Sequence, residues 1–360
     1  LVSLDALRGF DMFWIISGEG IFHGLADGVK QGNGLIRNPD DWTISSNESL
    51  SLMERIVIEI SNQLHHSPWN GFTFYDLIFP LFIFISGISM PFSYQKYLDE
   101  KTSSASKKVY FALIKRTLTL IILGVIVNGL FKLDGYDHTR FASVLGRIGL
   151  ASFFAAVIYL NFTLSKQVVW FISILFVYYI LMLLVPVPGF GAGVFTPETI
   201  PAICSAMLGI FTGTFIKNDS LKFSAEKKAG IILLAGILSI ILGLIWSLVF
   251  PINKMMWTSS FVLFSGGWSM ILFAFFYFII DVKAFKKWSV PLVWIGTNSI
   301  LIYVCAHGFF NFESTSQFIF GGLIRLIPRD YQQAGMWTGV LLIQLFFLRF
   351  FYQKKWFLKI

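Results

Sequence analysis

The chain has 360 residues, of which 56% are hydrophobic and only 13% charged, with a formal net charge of +8. A soluble domain carries about 25% charged residues, so this composition excludes an ordinary water-exposed globule. The charge-free stretches 77–95, 148–165, 168–197, 199–216, 229–253, 255–280 and 289–312 point instead to segments solvated by lipid. The basic balance does not call for nucleic acid, because Lys and Arg collect between the apolar runs, as they do in loops facing the cytoplasm.

Backbone groups in lipid need internal partners, which leaves helices or closed barrels. Barrel strands alternate apolar and polar residues with period two, and these stretches do not. The expected fold is an all-α polytopic membrane protein of about ten transmembrane helices. The predicted spans are 6–23, 74–95, 109–131, 141–161, 167–187, 200–216, 229–250, 257–280, 290–311 and 335–352. With the N-terminus inside, nineteen Lys and Arg fall in inner segments and eight in outer ones, a bias that sets both termini in the cytoplasm. The whole of 1–360 reads as one transmembrane domain, with a long outer loop over 24–73. The chain starts at Leu1 rather than Met, so a few native residues are expected to precede it. No cleavable signal is visible, and the first span serves as the membrane signal.

The first span carries Asp5, Arg8, Asp11 and Glu19 on one arc of about 120°. Charges within a span normally face a bundle interior or a wet cavity. Asp5, Arg8 and Asp11 read as an ion-pair ladder, whereas Glu19 has no local cation and is a functional candidate. In the outer loop Leu52, Ile56, Ile60 and Leu64 form an i, i+4 stripe, a helix expected to end before Pro68. The segment His65-His66-Ser67-Pro68-Trp69-Asn70-Gly71 then leads into Phe74-Tyr75-Asp76. Histidine suits proton transfer near neutral pH, while Asp76, three residues after Thr73, is placed to cap the second span. Adjacent histidines diverge on a helix and no second ligand pair accompanies them, so no metal site is expected.

Further along, Lys115 and Arg116 sit in a basic segment that suits either anionic lipid or a polyphosphate. Arg116 abuts the uncharged run 117–131 and needs a partner or a ligand. Arg147 lies within a span. Cys204 and Cys305 both fall inside spans, so no loop disulfide is expected. The stretch 311–334 is too short in its apolar part to cross and reads as an outer interfacial segment.

Taken in order, Leu4-Asp5-Ala6-Leu7-Arg8-Gly9, Ser67-Pro68-Trp69-Asn70-Gly71, Asp76-Leu77-Ile78-Phe79-Pro80-Leu81-Phe82-Ile83-Phe84-Ile85-Ser86-Gly87, Val144-Leu145-Gly146-Arg147-Ile148, Pro251-Ile252-Asn253-Lys254-Met255-Met256-Trp257-Thr258, Asn298-Ser299-Ile300-Leu301-Ile302-Tyr303 and Lys354-Lys355-Trp356-Phe357-Leu358-Lys359-Ile360 resemble the heparan-α-glucosaminide N-acetyltransferase family. The resemblance implies transmembrane acetylation: cytosolic acetyl-CoA donates, and the amine of glucosamine or a terminal glucosaminide accepts on the far side. It implies His66 as the catalytic histidine, with His65 as neighbour. The family's functional asparagine near the outer end of the first span corresponds to Glu19, a carboxylate that can take a proton or orient a cationic amine. The large outer domain of the animal enzymes is missing here, which suggests a bacterial relative in the inner (cytoplasmic) membrane. A homodimer is also implied.

On this reading His66 is the base or is transiently acetylated, and Glu19 or Asp76 holds the imidazole or the sugar ammonium. His65, Trp69, Asn70, Asn253, Lys254, Trp257, Asn298 and Tyr303 are candidates for sugar contacts. Arg8, Lys115, Arg116 and Arg147 are candidates for the CoA phosphates. Two other readings remain open at this level: a sugar or anion transporter with a Glu/His proton relay, and a polysaccharide O-acyltransferase.

Overall fold

The computed structural model describes residues 1–34, 50–100, 103–130, 143–184, 198–218, 220 and 222–358. The predicted span ends at 131, 141–142 and 185–187, and most of the first half of the outer loop, lie outside the described residues.

Among the described residues all regular structure is helical. The chain opens with α1 (Val2–Phe13), a π turn over Trp14–Gly18 and α2 (Glu19–Gly32). Next come α3 (Leu52–Gln63), α4 (Phe74–Glu100), α5 (Ser103–Val125), α6 (Val144–Asn161) and α7 (Leu164–Leu184). They are followed by α8 (Thr199–Lys217), α9 (Ala225–Ser247), α10 (Ser259–Phe276), α11 (Val290–Thr297) and α12 (Ser299–Val304). The last two are α13 (Phe312–Ile324) and α14 (Gln332–Gln353).

Eight helices among the described residues are long and apolar enough to cross a membrane, and one bent pair makes a ninth. The leading helix of 2–32 is long enough, at about 1.5 Å per residue, but its acids and Arg8 make it less apolar than these. The eight or nine apolar spans compare with the ten expected.

Burial sorts the bundle into layers. In α4 and α8, 72% of the apolar window is buried, against 17% in α7 and 28% in α5 and α9. The first two form the centre, and the others present Leu, Ile and Phe outward as a lipid-facing belt.

Lipid supplies no hydrophobic drive between helices, so close packing of small residues must hold them together. The three most extensive helix pairs, α9 with α10, α4 with α8 and α1 with α11, all meet through glycines. A methyl on Gly9 would lie 1.8 Å from the Leu292 carbonyl oxygen, and one on Gly296 1.8 Å from that of Asp5. Gly87 and Gly209 interlock α4 and α8 in the same reciprocal way.

Two expectations need correction. The predicted continuous span over 290–311 is broken: the two halves bend by 63° at Asn298, whose backbone leaves helical geometry. The predicted ladder in the first helix is only half formed. Arg8 pairs with Asp5 at 3.1 Å, while Asp11 is fully buried and neither carboxyl oxygen has a hydrogen-bond partner.

Candidate active site

The turn before α4 is built by capping. Ser51 and Glu54 form a reciprocal capping box that starts α3, and the helix ends at Gln63 with Leu64 buried beneath the turn. The Asp76 carboxylate then accepts the backbone N–H groups of Ser67 (3.2 Å) and Thr73 (3.1 Å) on Oδ2. Its Oδ1 lies 2.9 Å from His66 Nδ1 and 3.4 Å from Lys254 Nζ. The Asp76 side chain is only 1% exposed, and these donors balance its charge. A carboxylate only accepts, so Nδ1 of His66 donates in this contact. Capping of the turn and orientation of the His66 imidazole are thus done by one residue.

Lys254 reaches this pair from the turn between α9 and α10. Asn253 shapes that turn: its side-chain oxygen accepts the Met256 N–H at 2.9 Å, and its amide donates to the Asn70 side chain at 3.2 Å. The Gly71 N–H bonds the Ile252 carbonyl at 2.9 Å. Gly71 has φ +123°, a conformation open to glycine. The two turns are therefore stitched together, and Nζ of Lys254 sits 2.9 Å from Nδ1 and 3.3 Å from Nε2 of His66. Burial lowers the Lys254 pKa below its ordinary value, with the Asp76 charge opposing that shift.

His66 and Lys254 line a cavity of about 340 Å³ that also takes in Met12, Ile15, Tyr75, Phe79, Arg147, Tyr303 and His307. The volume is that of a small-ligand site. Tyr75, its ring centroid 4.9 Å from that of His66, donates its hydroxyl to Glu19. Glu19 in turn lies 3.6 Å from His23 Nε2. On the other wall, His307 stacks on Tyr303 at 4.6 Å. Arg147 pairs with Glu198 at 3.1 Å and lies over the rings of Phe79 and Trp257. The π turns Trp14–Gly18 and Cys305–Phe309 carry Ile15 and His307 into this space. Such turns often mark functional sites.

A second cavity, of about 400 Å³, lies at the opposite end and is lined by Arg8, Ser86, Arg116, Thr297 and the tail residues Phe357 and Leu358. Phe82 and Ile300 line both cavities, so the two adjoin at these side chains. Arg116 donates to the Ser86 hydroxyl at 3.3 Å, while its buried Nε has no hydrogen-bond partner.

Of the residues singled out from sequence, His66, Asp76, Lys254 and Tyr303 come together at the first cavity, termed outer after the orientation expected from the Lys/Arg bias, with Glu19 one hydrogen bond away through Tyr75. Arg8 and Arg116 meet at the second, termed inner on the same expectation. Arg147 is placed in the outer cavity, away from the two arginines with which it was grouped. Lys115 is exposed and lines neither cavity.

His65 stacks on His23 at 4.2 Å, and burial, then the charges of His23 and Lys30, lower its pKa. Trp69 is exposed. Asn70 and Asn253 bond each other rather than facing the cavity. Trp257 is fully buried, donating to the Ser205 hydroxyl at 3.2 Å. Asn298 is spent on the C-terminal tail: its amide donates to the Trp356 carbonyl and its oxygen accepts the Leu358 N–H, both at 3.0 Å.

Sequence reasoning passed over Tyr75, His23 and His307. For His307 the signal was present, since an ionisable residue within the charge-free run 289–312 is rare in lipid.

No protein-family model matches the chain. It is similar to the heparan-alpha-glucosaminide N-acetyltransferase of Mus musculus, 26% identical over 320 residues that cover 66% of this chain and 48% of that protein. The protein of the same name from Homo sapiens is 25% identical over 332 residues, covering 69% of this chain and 49% of its own length. The chain thus spans about half the length of the curated relatives it matches. The motif resemblance and the similarity along two thirds of the chain agree: this multi-pass membrane protein is similar to proteins named heparan-alpha-glucosaminide N-acetyltransferase.

Proposed function

We propose that the chain is a transmembrane N-acetyltransferase of the bacterial inner membrane. It moves the acetyl group of cytosolic acetyl-CoA to the amine of glucosamine, or of a terminal glucosaminide, on the outer side. The observation that carries this reading is the pair of abutting cavities, with arginines at one mouth and an Asp–His–Lys cluster at the other. Arg8 and Arg116 would hold CoA phosphates, Arg116 through the Nε that has no hydrogen-bond partner among the described residues. The acyl-bearing arm would pass between Phe82 and Ile300.

The chemistry balances without a metal. A protonated sugar amine has no lone pair, so Nε2 of His66 removes one proton while Asp76 stabilises the imidazolium through Nδ1. The free amine attacks the thioester carbonyl; a C–N bond forms as the C–S bond breaks. The Lys254 ammonium stands beside the imidazole, where it can donate to the oxyanion. The attacking nitrogen gives up its second proton, one proton ends on the CoA thiol, and one is released. In a two-step variant His66 Nε2 is itself acetylated and the amine then attacks the acyl-imidazole.

The test uses protein in detergent with labelled acetyl-CoA and glucosamine. Label in N-acetylglucosamine is expected, with a loss of about 10²-fold or more in His66→Ala. Wild-type protein that binds acetyl-CoA but never labels the sugar would contradict the reading. Label trapped on His66 in the absence of sugar would assign the two-step route.

A further inference from the structure

A third cavity, of about 360 Å³, adjoins the outer one: Ile15 and His307 line both. Its remaining wall includes Asn311, Glu313, Trp337 and Gln344. We infer that this cavity is a second sugar subsite, which takes the neutral or amino-substituted hexose next to the reacting glucosamine. The inference rests on the acetyl-transfer reading and adds the length and charge of the acceptor.

The polar groups of this wall are fixed in place. The Trp337 indole is seated on Gly20, where a methyl would come within 2.3 Å of ring carbons. The Gln344 side-chain oxygen accepts the Ser17 hydroxyl at 2.6 Å, and its NH₂ donates one hydrogen to the Ile16 carbonyl at 3.5 Å, which leaves the second hydrogen as a donor. The Asn311 oxygen caps the Ser314 N–H at 2.9 Å, again leaving an NH₂. His307 Nδ1 lies 3.1 Å from the Tyr303 carbonyl; a carbonyl only accepts, so Nδ1 donates and Nε2 is free to accept. An aromatic plate, two amide donors, an imidazole acceptor and a carboxylate are what a pyranose offers its C–H face and hydroxyls to.

Charge narrows the class. Among the described residues, Glu313 is the one acidic side chain of this wall, and no Lys or Arg lines it. A uronate or sulfated ring would set anion against anion there without a compensating cation, whereas hydroxyl or ammonium donors would bond the carboxylate. The wall therefore selects a glucosamine-terminated chain whose second ring is neutral or aminated, unlike an alternating uronate polymer.

Kinetics would be compared for glucosamine, glucosaminyl-glucosamine and glucosaminyl-glucuronate, with direct calorimetric binding of the amino dimer in the absence of acetyl-CoA. The amino dimer should have a KM about tenfold below that of glucosamine, the worth of a charge-assisted bond plus stacking. The uronate dimer should show no such gain. Trp337→Ala and Glu313→Gln should bring the dimer-to-monomer preference close to one, and the exposed Glu313 gives the variant least prone to misfold. A preference unaltered in Glu313→Gln, or a uronate dimer favoured over the amino dimer, would overturn the inference. Should no amine be acetylated at all, the transferase reading fails alone. Calorimetry then still decides the subsite: dimer binding weakened by Glu313→Gln upholds it, and equal binding refutes it.

Discussion

Lys254 is held between His66 and Asp76, and its lowered pKa has a consequence for rate against pH. An ammonium loses its charge as pH rises through its pKa, so burial brings that loss below the usual 10.5. Acetyl transfer should therefore fall on the alkaline side at a pH below that of a free lysine. Lys254→Arg, which keeps its charge at any working pH, should move that limb upward even if the rate at its plateau drops. A limb that stays in place in the variant would show that it belongs to another group.

At this scale the sequence was informative where chemistry is local. Asp76 follows Thr73 at capping distance and lies within reach of His66, and the structure uses it for both tasks. Glu19 could be seen as an unpaired acid, but its Tyr75 partner could not, because the contact joins two helices 56 residues apart in sequence. Asn298 was readable as a polar residue in lipid. Its partners were not, since a tail 60 residues away supplies them.

The helices are assembled by close backbone approach, and this makes two elements sensitive. Gly296→Ala would press a methyl onto the Asp5 carbonyl, at the contact that holds the leading helix against α11. The expected loss is about 1–3 kcal/mol, the cost of overpacking, read as a lower thermal midpoint in detergent; an unchanged midpoint would mean the helices separate freely.

The bend at Asn298 ties the C-terminal tail, and Phe357 and Leu358 of that tail wall the inner cavity. Asn298→Ala leaves the Trp356 carbonyl and Leu358 N–H without this partner. The KM for acetyl-CoA should change several-fold, with little change in the KM for glucosamine. Equal effects on both would contradict a role confined to the inner cavity. The spans themselves were legible because hydropathy is summed over 20 residues or so. The break was not, because one asparagine scarcely alters that sum.

Across the whole molecule, the proposed transfer takes its direction from the Lys/Arg bias of the sequence. On that reading the inner cavity would face the cytosol and the His66 cavity would face out, with Phe82 and Ile300 lining both. Composition foretold a bundle of apolar helices fit for a bilayer. The cavities were beyond its reach, because they arise where helices distant in sequence fail to fill the space between them. The central claim is transfer across that barrier. Purified protein in sealed vesicles, with labelled acetyl-CoA trapped inside and glucosamine added only outside, tests it directly. Labelled N-acetylglucosamine should accumulate outside while the trapped acetyl-CoA is consumed and the vesicles stay intact. Product that forms only after the vesicles are permeabilised would contradict it.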